Sequence, residues 1–600
     1  RLVPGFGAAV RRAAAGLLVA VLALLSYPGA DLVALHARLR RSPPALDSGG
    51  APLPWLHVEH PARGTPFIAD PEGRRVILRG VVAGGLMDFW SGSDSGDESP
   101  PPLCPIDPAA YEQGRCPANF ATVRVPPLCR NDLAEMRQLG FNVLRLALSW
   151  SLLEPRPGGY DQTYLDRVAQ VVGWARAEGV YVMLDMHENA YSRYVGRPAR
   201  ASLPGADLPT LYYYTGAPRW ATITDGLPSQ NFIGQREINP AVGAAFTNFW
   251  LNRAGLQDHY IGALAALGRR FREDSAVVGY GVFNEPWPGF FDLPWFEDLF
   301  LFPFYRRVID ALAGAGDGLP CPSGWPAVAP CGYPDLGVHD RRHLFFVEAD
   351  HLRELTDFAT DLPQPLSSYP NVVYAIHAYT HKFTLDAMLG QKPETASYPP
   401  GGYDLSYRSA GAEARSLGAA LFVSEYGYEP NEDPLLSRQL EAQDRHQVGS
   451  TFWPWKENCS ATRTWGVYAS VFGESGDQRC ASDRPAAAAD ATPKPQNGCL
   501  RASRERLLAR VWPRAAAGTL ISFAYDPATG AFRLRGHSPD GSPPTQVYIP
   551  AEVTGEVVVS SNGWATTEKD RGGGRLVSVS AQGDYEVRVT PAPLHLRGCA

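Results

Sequence analysis

The sequence predicts a (β/α)8 barrel followed by a small all-β sandwich, on three observations. Eight short apolar runs recur between Val76 and Trp453, each pair separated by helical sequence. The runs are apolar on consecutive residues, as in parallel strands covered on both faces. Past Pro513 the pattern changes to short alternating stretches divided by Gly, Pro, Asn and Asp, as in an antiparallel sandwich. An open doubly wound sheet is the competing architecture. It carries a Gly-rich phosphate turn after its first strand, and Arg79-Gly80-Val81-Val82-Ala83-Gly84-Gly85 lacks that spacing.

In chain order, residues 1–54 form a leader and linker, 55–512 the barrel and 513–600 the sandwich. Arg11-Arg12 precede the apolar run Ala13–Leu25, then Gly29 and Ala30, which is the charge-then-apolar order of a secretory signal or signal-anchor. Strands are expected at Val76–Val82, Phe141–Leu146, Val180–Asp185, Val277–Phe283, His343–Val347, Val372–Ile376, Ala420–Val423 and Ser450–Trp453. Helices are expected at Asn131–Leu139, Tyr160–Glu178 and Asp258–Arg272, and long inserts at Ser91–Pro127 and Glu457–Leu500. Sandwich strands are expected at Leu520–Ala524, Phe532–Arg535, Thr545–Ile549, Gly555–Ser560, Arg575–Ser578 and Tyr585–Val589.

A net charge of −7 and a pI near 6.0 give no electrostatic case for nucleic acid. The nine cysteines fall in predicted loops or termini and include no CxxC pair, which favours loop disulfides, Cys321–Cys331 first, over metal binding. That composition suits a secreted or luminal protein, and no cofactor is implied.

In a barrel of this kind the chemistry belongs at the C-terminal strand ends. Arg145 lies in strand two, His187 and Asn189 follow strand three, and Asn284-Glu285 follow strand four. His377 and Tyr379 follow strand six, Glu425 follows strand seven, and Trp453 ends strand eight. Pro286 steers Glu285 away from helical angles and ends the strand there. His187 and His377 belong to neither HxxH nor HExxH, so no zinc motif is present. Two acids on one rim without a metal triad point to glycosidic cleavage. Glu285 is expected to be the acid/base, its pKa raised by apolar neighbours, and Glu425 the nucleophile, kept ionised by Arg145. Asn284 is placed for a sugar 2-hydroxyl and Trp453 for a pyranose face.

At these residues the chain resembles glycoside hydrolase family 5, and within it the endoglycoceramidases. The segments carrying the likeness are GFNVLRLALSWSLLEPRPGGYD, LDMHENAYSR, TGAPRWATITDGLP, FTNFW, VVGYGVFNEPWPG and the closing PAEVTGEVVV…YEVRVTPAP. The resemblance implies hydrolysis between glycan and ceramide in a glycosphingolipid. It implies that Glu285 and Glu425 are acid/base and nucleophile, that His187, Asn284, His377 and Tyr379 line the sugar site, and that Trp453 lies beneath the ring. The family's MHQD is Met186-His187-Glu188-Asn189 here, and Asn189 in place of the Asp bears on sugar preference.

Trp287, Phe290 and Phe291, after Glu285, are candidates for a lipid-facing wall, and Tyr212-Tyr213-Tyr214 lie in the loop after strand three. Phe296, Phe300 and Phe304, at spacing i, i+4, i+8, read as helix core. The expected partners are a glycolipid and, transiently, a membrane surface, with the protein a monomer. Other activities that the same residues allow are an exo-acting glucosylceramidase, an endo-β-glucanase and a catalytically idle carbohydrate- or lipid-binding protein.

Overall fold

The computed structural model describes residues 52–597 apart from 63, 88–127, 197–198, 201–213, 232–235, 292–294, 315–331, 360–368, 389, 391–401, 457–464, 470–498 and 561. The apolar run 13–25, Cys321–Cys331, Tyr212-Tyr213, the insert Ser91–Pro127 and most of Glu457–Leu500 therefore lie outside the described residues.

Eight parallel strands close on themselves. They are β1 (Arg79–Leu86), β2 (Val143–Leu148), β3 (Tyr181–Met186), β4 (Val277–Gly281), β5 (Leu344–Val347), β6 (Val372–His377), β7 (Ala420–Tyr426) and β8 (Gly449–Phe452). The ring is sealed where β8 pairs with β1, Ser450 opposite Arg79. Local signals fix the junctions. Asp161 accepts from the Tyr164 N–H to start the helix Gln162–Glu178, and Gly179, in the left-handed region, ends it one residue before Val180 leads into β3.

The first strand starts at Arg79, not Val76. Arg75–Val76 pair instead with Trp512–Ala516, so the strands at His57–Glu59, Phe67–Ala69 and Arg75–Val76 join a sheet built from the far end of the chain. The sequence around them is too short and irregular to reveal a partner that distant.

The C-terminal segment holds β9 (Trp512–Ala516), β10 (Thr519–Tyr525), β11 (Phe532–Ser538), β12 (Thr545–Ile549), β13 (Val557–Val559), β14 (Gly563–Lys569), β15 (Arg575–Ala581) and β16 (Gly583–Val589). One sheet runs from the three early strands through β9, β12 and β15 to β14, and the other has the order β10-β11-β16-β13. On β11 every second residue is buried, which places Phe532 and Leu534 in a core with Trp512, Val547 and Val587.

The two ends of the barrel differ in chemistry. At the strand starts Leu78, Val143, Leu344, Val373 and Phe422 pack with Leu56, Val58 and Ile68, so the early strands stopper that end with apolar side chains. Each fully buried aliphatic residue there contributes about 1.5–3 kcal/mol. At the opposite end the buried side chains are charged. Among the described residues, no helix is long and apolar enough to cross a membrane.

Candidate active site

Arg145, wholly buried on β2, organises the charged end. Its Nη1 donates to Glu425 Oε2 at 2.6 Å, and its Nη2 to Asn284 Oδ1 at 2.6 Å, Asp185 Oδ1 at 3.0 Å and Glu348 Oε1 at 3.2 Å. A guanidinium is suited to this role because it has five donors in a rigid plane. Gly281 makes the arrangement possible: a Cβ on β4 at that position would overlap Asp185 Oδ1. Asp185 also holds His187, whose Nδ1 lies 2.9 Å from Oδ2. The His187 ring is parallel to Trp453, with centroids 5.6 Å apart and planes 7° apart, and Trp453 is half-buried ahead of a cis Pro454.

Glu285 has φ +46°, an uncommon angle for a residue with a Cβ, and its N–H donates to Glu348 Oε2 at 2.9 Å. Its Oε1 is 3.2 Å from His377 Nδ1 and its Oε2 accepts from Arg236 Nη2 at 2.8 Å. Glu425 accepts from the Tyr379 hydroxyl at 2.6 Å on Oε1. One oxygen each of Glu285 and Glu425 and one His377 nitrogen all lie within 4.8 Å of one another. So close an approach of one oxygen from each acid is compatible with carboxyl pairs about 5–5.5 Å apart, which share one sugar carbon.

The structure thus brings together Arg145, His187, Asn284, Glu285, His377, Tyr379, Glu425 and Trp453. Asn189 joins them as the residue after Glu188, bonded through its backbone to Thr215 at 3.0 Å and 3.1 Å. Its Oδ1 is buried without a hydrogen-bond partner among the described residues. Glu188 differs: its carboxylate lies against Gly216, and only its carbonyl serves the site, accepting from Asn284 Nδ2 at 2.8 Å.

The titration of the two acids differs from the sequence expectation. Burial alone would raise Glu285, but Arg236, then His377 and His351, outweigh it and hold the carboxyl well below the usual range. Burial raises Glu425 against the pull of His377 and Arg145, and the nearby charge of Glu285 adds to the rise. The main cause at Glu285 is Arg236, a cation with no signature in the sequence because it follows no barrel strand directly.

Asp185, Glu348, Arg236, His351 and Glu354 were not among the candidates. Glu348 follows β5 directly, so the strand-end rule applied to the other strands finds it. Asp185 closes the predicted strand VYVMLD. Glu354 Oε1 lies 2.9 Å from His377 Nδ1 and 3.3 Å from His351 Nδ1, and His351 is pushed up to about 10, burial being outweighed chiefly by Glu354. Glu285/His351/Glu354 and Glu285/His377/Glu425 have a spacing that suits a cation, but neither is assigned to one. Glu285 is already satisfied by Arg236 and His377.

Trp287 is buried against His351, its carbonyl accepting from Trp250, and Phe291 stacks on Phe300 at 4.5 Å. Of the proposed wall only Phe290 is exposed, at 57%. Phe296 and Phe304 are core residues.

The cellulase model of glycosyl hydrolase family 5 matches residues 129–315, and the glycoside hydrolase family 5 C-terminal domain matches residues 510–590. Over these two segments the chain is similar to glycoside hydrolase family 5. The chain is 24% identical over 473 residues to endoglycoceramidase I of Rhodococcus hoagii (strain 103S), covering 77% of this chain and 80% of that one. It also resembles the crystal structure of endogalactoceramidase, with 28% identity and a TM-score of 0.64 over 90% of this chain and 100% of the other. Endo-glycoceramidase II from Rhodococcus sp. superposes with a TM-score of 0.60 at 25% identity, over 88% of this chain and 99% of that one.

Proposed function

We propose that this protein is a retaining glycosidase that cleaves the β-glycosidic bond between glycan and ceramide in glycosphingolipids. The observation that carries the proposal is the approach of Glu285 and Glu425 to within 4.8 Å at the ends of two strands of one barrel. In the first step a Glu425 oxygen attacks the anomeric carbon while Glu285 protonates the departing ceramide oxygen. In the second, Glu285 takes a proton from water, whose oxygen displaces Glu425 and leaves the anomeric configuration unchanged.

Tyr379 and Arg145 orient the attacking carboxylate from its two oxygens. Asn284, with one amide hydrogen left after its bond to Glu188, is placed to serve the sugar 2-hydroxyl. Asn189 Oδ1 offers an unused acceptor, His187 a ring nitrogen and Trp453 a flat face for the pyranose. His377 fixes Glu285. The ceramide specificity is supported by endoglycoceramidase I and endogalactoceramidase, each matched over most of its length.

An exo-acting glucosylceramidase is the second reading. It is supported by a 25% identity over 255 residues to the glucosylceramidase of Aspergillus fumigatus, which covers 31% of that protein. An extracytosolic location is supported by Cys129, which is disulfide-bonded. Incubation with a ganglioside and with glucosylceramide, followed by identification of products, tests the assignment. Intact oligosaccharide plus ceramide is expected. Free glucose from glucosylceramide alone selects the exo enzyme, and no cleavage of either lipid rejects both. Glu285→Ala with added azide is expected to give a β-glycosyl azide, because azide replaces the water that no longer has a base.

A further inference from the structure

We propose that Arg236 is a positioning residue that holds Glu285 as a carboxylate, the form required to activate water in the second half of the reaction. The proposal rests on the retaining mechanism above. Arg236 lies four residues before the helix Pro240–Trp250, with its side chain 16% exposed, and is itself fixed by a bond from Nε to Glu237 Oε1.

The groups facing Glu285 from every neighbouring element set the case. From the segment before that helix come Arg236 and Glu237, and from the turn after β5 and the short helix Leu352–Thr356 come Glu348, His351 and Glu354. From β6 comes His377, and from β7 Glu425 with its Arg145 partner. His377 is divided between Glu285 at 3.2 Å, Glu354 at 2.9 Å and Glu348 at 3.1 Å. His351 is nearer to Glu354, at 3.3 Å, than to Glu285, at 4.0 Å. Arg236, at 2.8 Å, is therefore the direct cation on Glu285 Oε2, and without it the nearest charged donor to that oxygen among the described residues is His351.

The two half-reactions make opposite demands on Glu285. Cleavage needs its proton; hydrolysis of the glycosyl-enzyme needs its base form. In the glycosyl-enzyme Glu425 is an ester, so its charge no longer acts on Glu285, and Arg236 keeps the base ionised while water gives up a proton. The bond formed is between the water oxygen and the anomeric carbon, the bond broken is the Glu425 ester, and the proton goes to Glu285.

Reactivation of the 2-deoxy-2-fluoroglucosyl-enzyme isolates this step, because Glu425 is blocked and Glu285 alone has to be ionised. For the wild type the rate is expected to fall at acid pH along a limb below the ordinary glutamate value of about 4.3. In Arg236→Gln the limb is expected about 1–3 pH units higher, the size of a carboxylate's response to a contacting arginine. Arg236→Lys, which keeps a charge, is expected to return it towards the wild-type position. A purely structural role changes thermal stability without moving the limb, so coincident limbs in wild type and Arg236→Gln overturn the proposal. If Arg236→Gln does not fold, a wild-type limb at or above about 4.3 does so instead. Failure of the wild type to form the covalent adduct removes the retaining mechanism itself, which distinguishes the two failures.

Discussion

Tyr379 donates its hydroxyl hydrogen to Glu425 Oε1 at 2.6 Å, and burial followed by the Glu425 charge raises the phenol well above its usual range. The hydroxyl therefore remains a donor at every working pH and aims the carboxylate's free lone pairs. Tyr379→Phe removes one hydrogen bond to a charged group, a loss of about 1.5–3 kcal/mol. A fall in kcat/KM of roughly 10–150-fold on an aryl glucoside is expected. An unchanged value means that Arg145 alone orients Glu425.

Phe290 and Phe291 separate under mutation. Phe290→Ala is expected to leave the thermal midpoint nearly unchanged, since the ring is exposed, while weakening turnover of a glycolipid more than of a soluble aryl glycoside. Phe291→Ala loses its stack on Phe300 and is expected to lower stability by about 0.5–1.5 kcal/mol or more. Equal losses on both substrates in Phe290→Ala count against a lipid contact there.

Asp444 joins barrel to sandwich, accepting from Arg79 at 2.7 Å through Oδ1 and pairing with Arg510 through Oδ2. Asp444→Ala leaves two buried guanidinium groups without their anion, an expected cost of about 3–5 kcal/mol. Denaturant unfolding measures it directly. A change below about 1 kcal/mol means that the two arginines find other partners.

Asp357 gives a pH dependence of stability. Burial pushes its folded-state pKa up to about 6, against Arg353 and hydrogen bonds from Ser406 and Thr380. The folded protein keeps a proton that the unfolded chain releases near pH 3.9, so ν_U − ν_N is negative between these values. The stability present below about pH 4 is thus lost as pH rises through about 6. Asp357→Asn has no such loss and is expected to be more stable than the wild type above pH 6, by about 2–3 kcal/mol, with the advantage gone below pH 4. Thermal melts across that range decide it, and parallel curves contradict the raised value.

The barrel and both acids are legible in the sequence because strand ends carry their own signal: an apolar run stops and a polar residue follows. Glu285, His377 and Glu425 come from that rule, and so does Glu348, which directly follows β5. Arg236 and His351 are different. They reach the site across loops whose course no local period records, and their charges help to hold the Glu285 carboxyl below its usual range. Chemical identity is written beside the strands, but protonation depends on every charge folded around them. The pairing of Arg75–Val76 with β9 was invisible for the same reason, since hydrogen bonds between residues so far apart leave no trace in either segment.

That pairing orders events during synthesis. The strands at His57–Glu59, Phe67–Ala69 and Arg75–Val76 leave the ribosome early, yet their sheet is completed only by β9, β12 and β15, which emerge near the end. Until then the stopper of the barrel has one unzipped edge, and a polypeptide halted before Trp512 would display it to any other nascent chain.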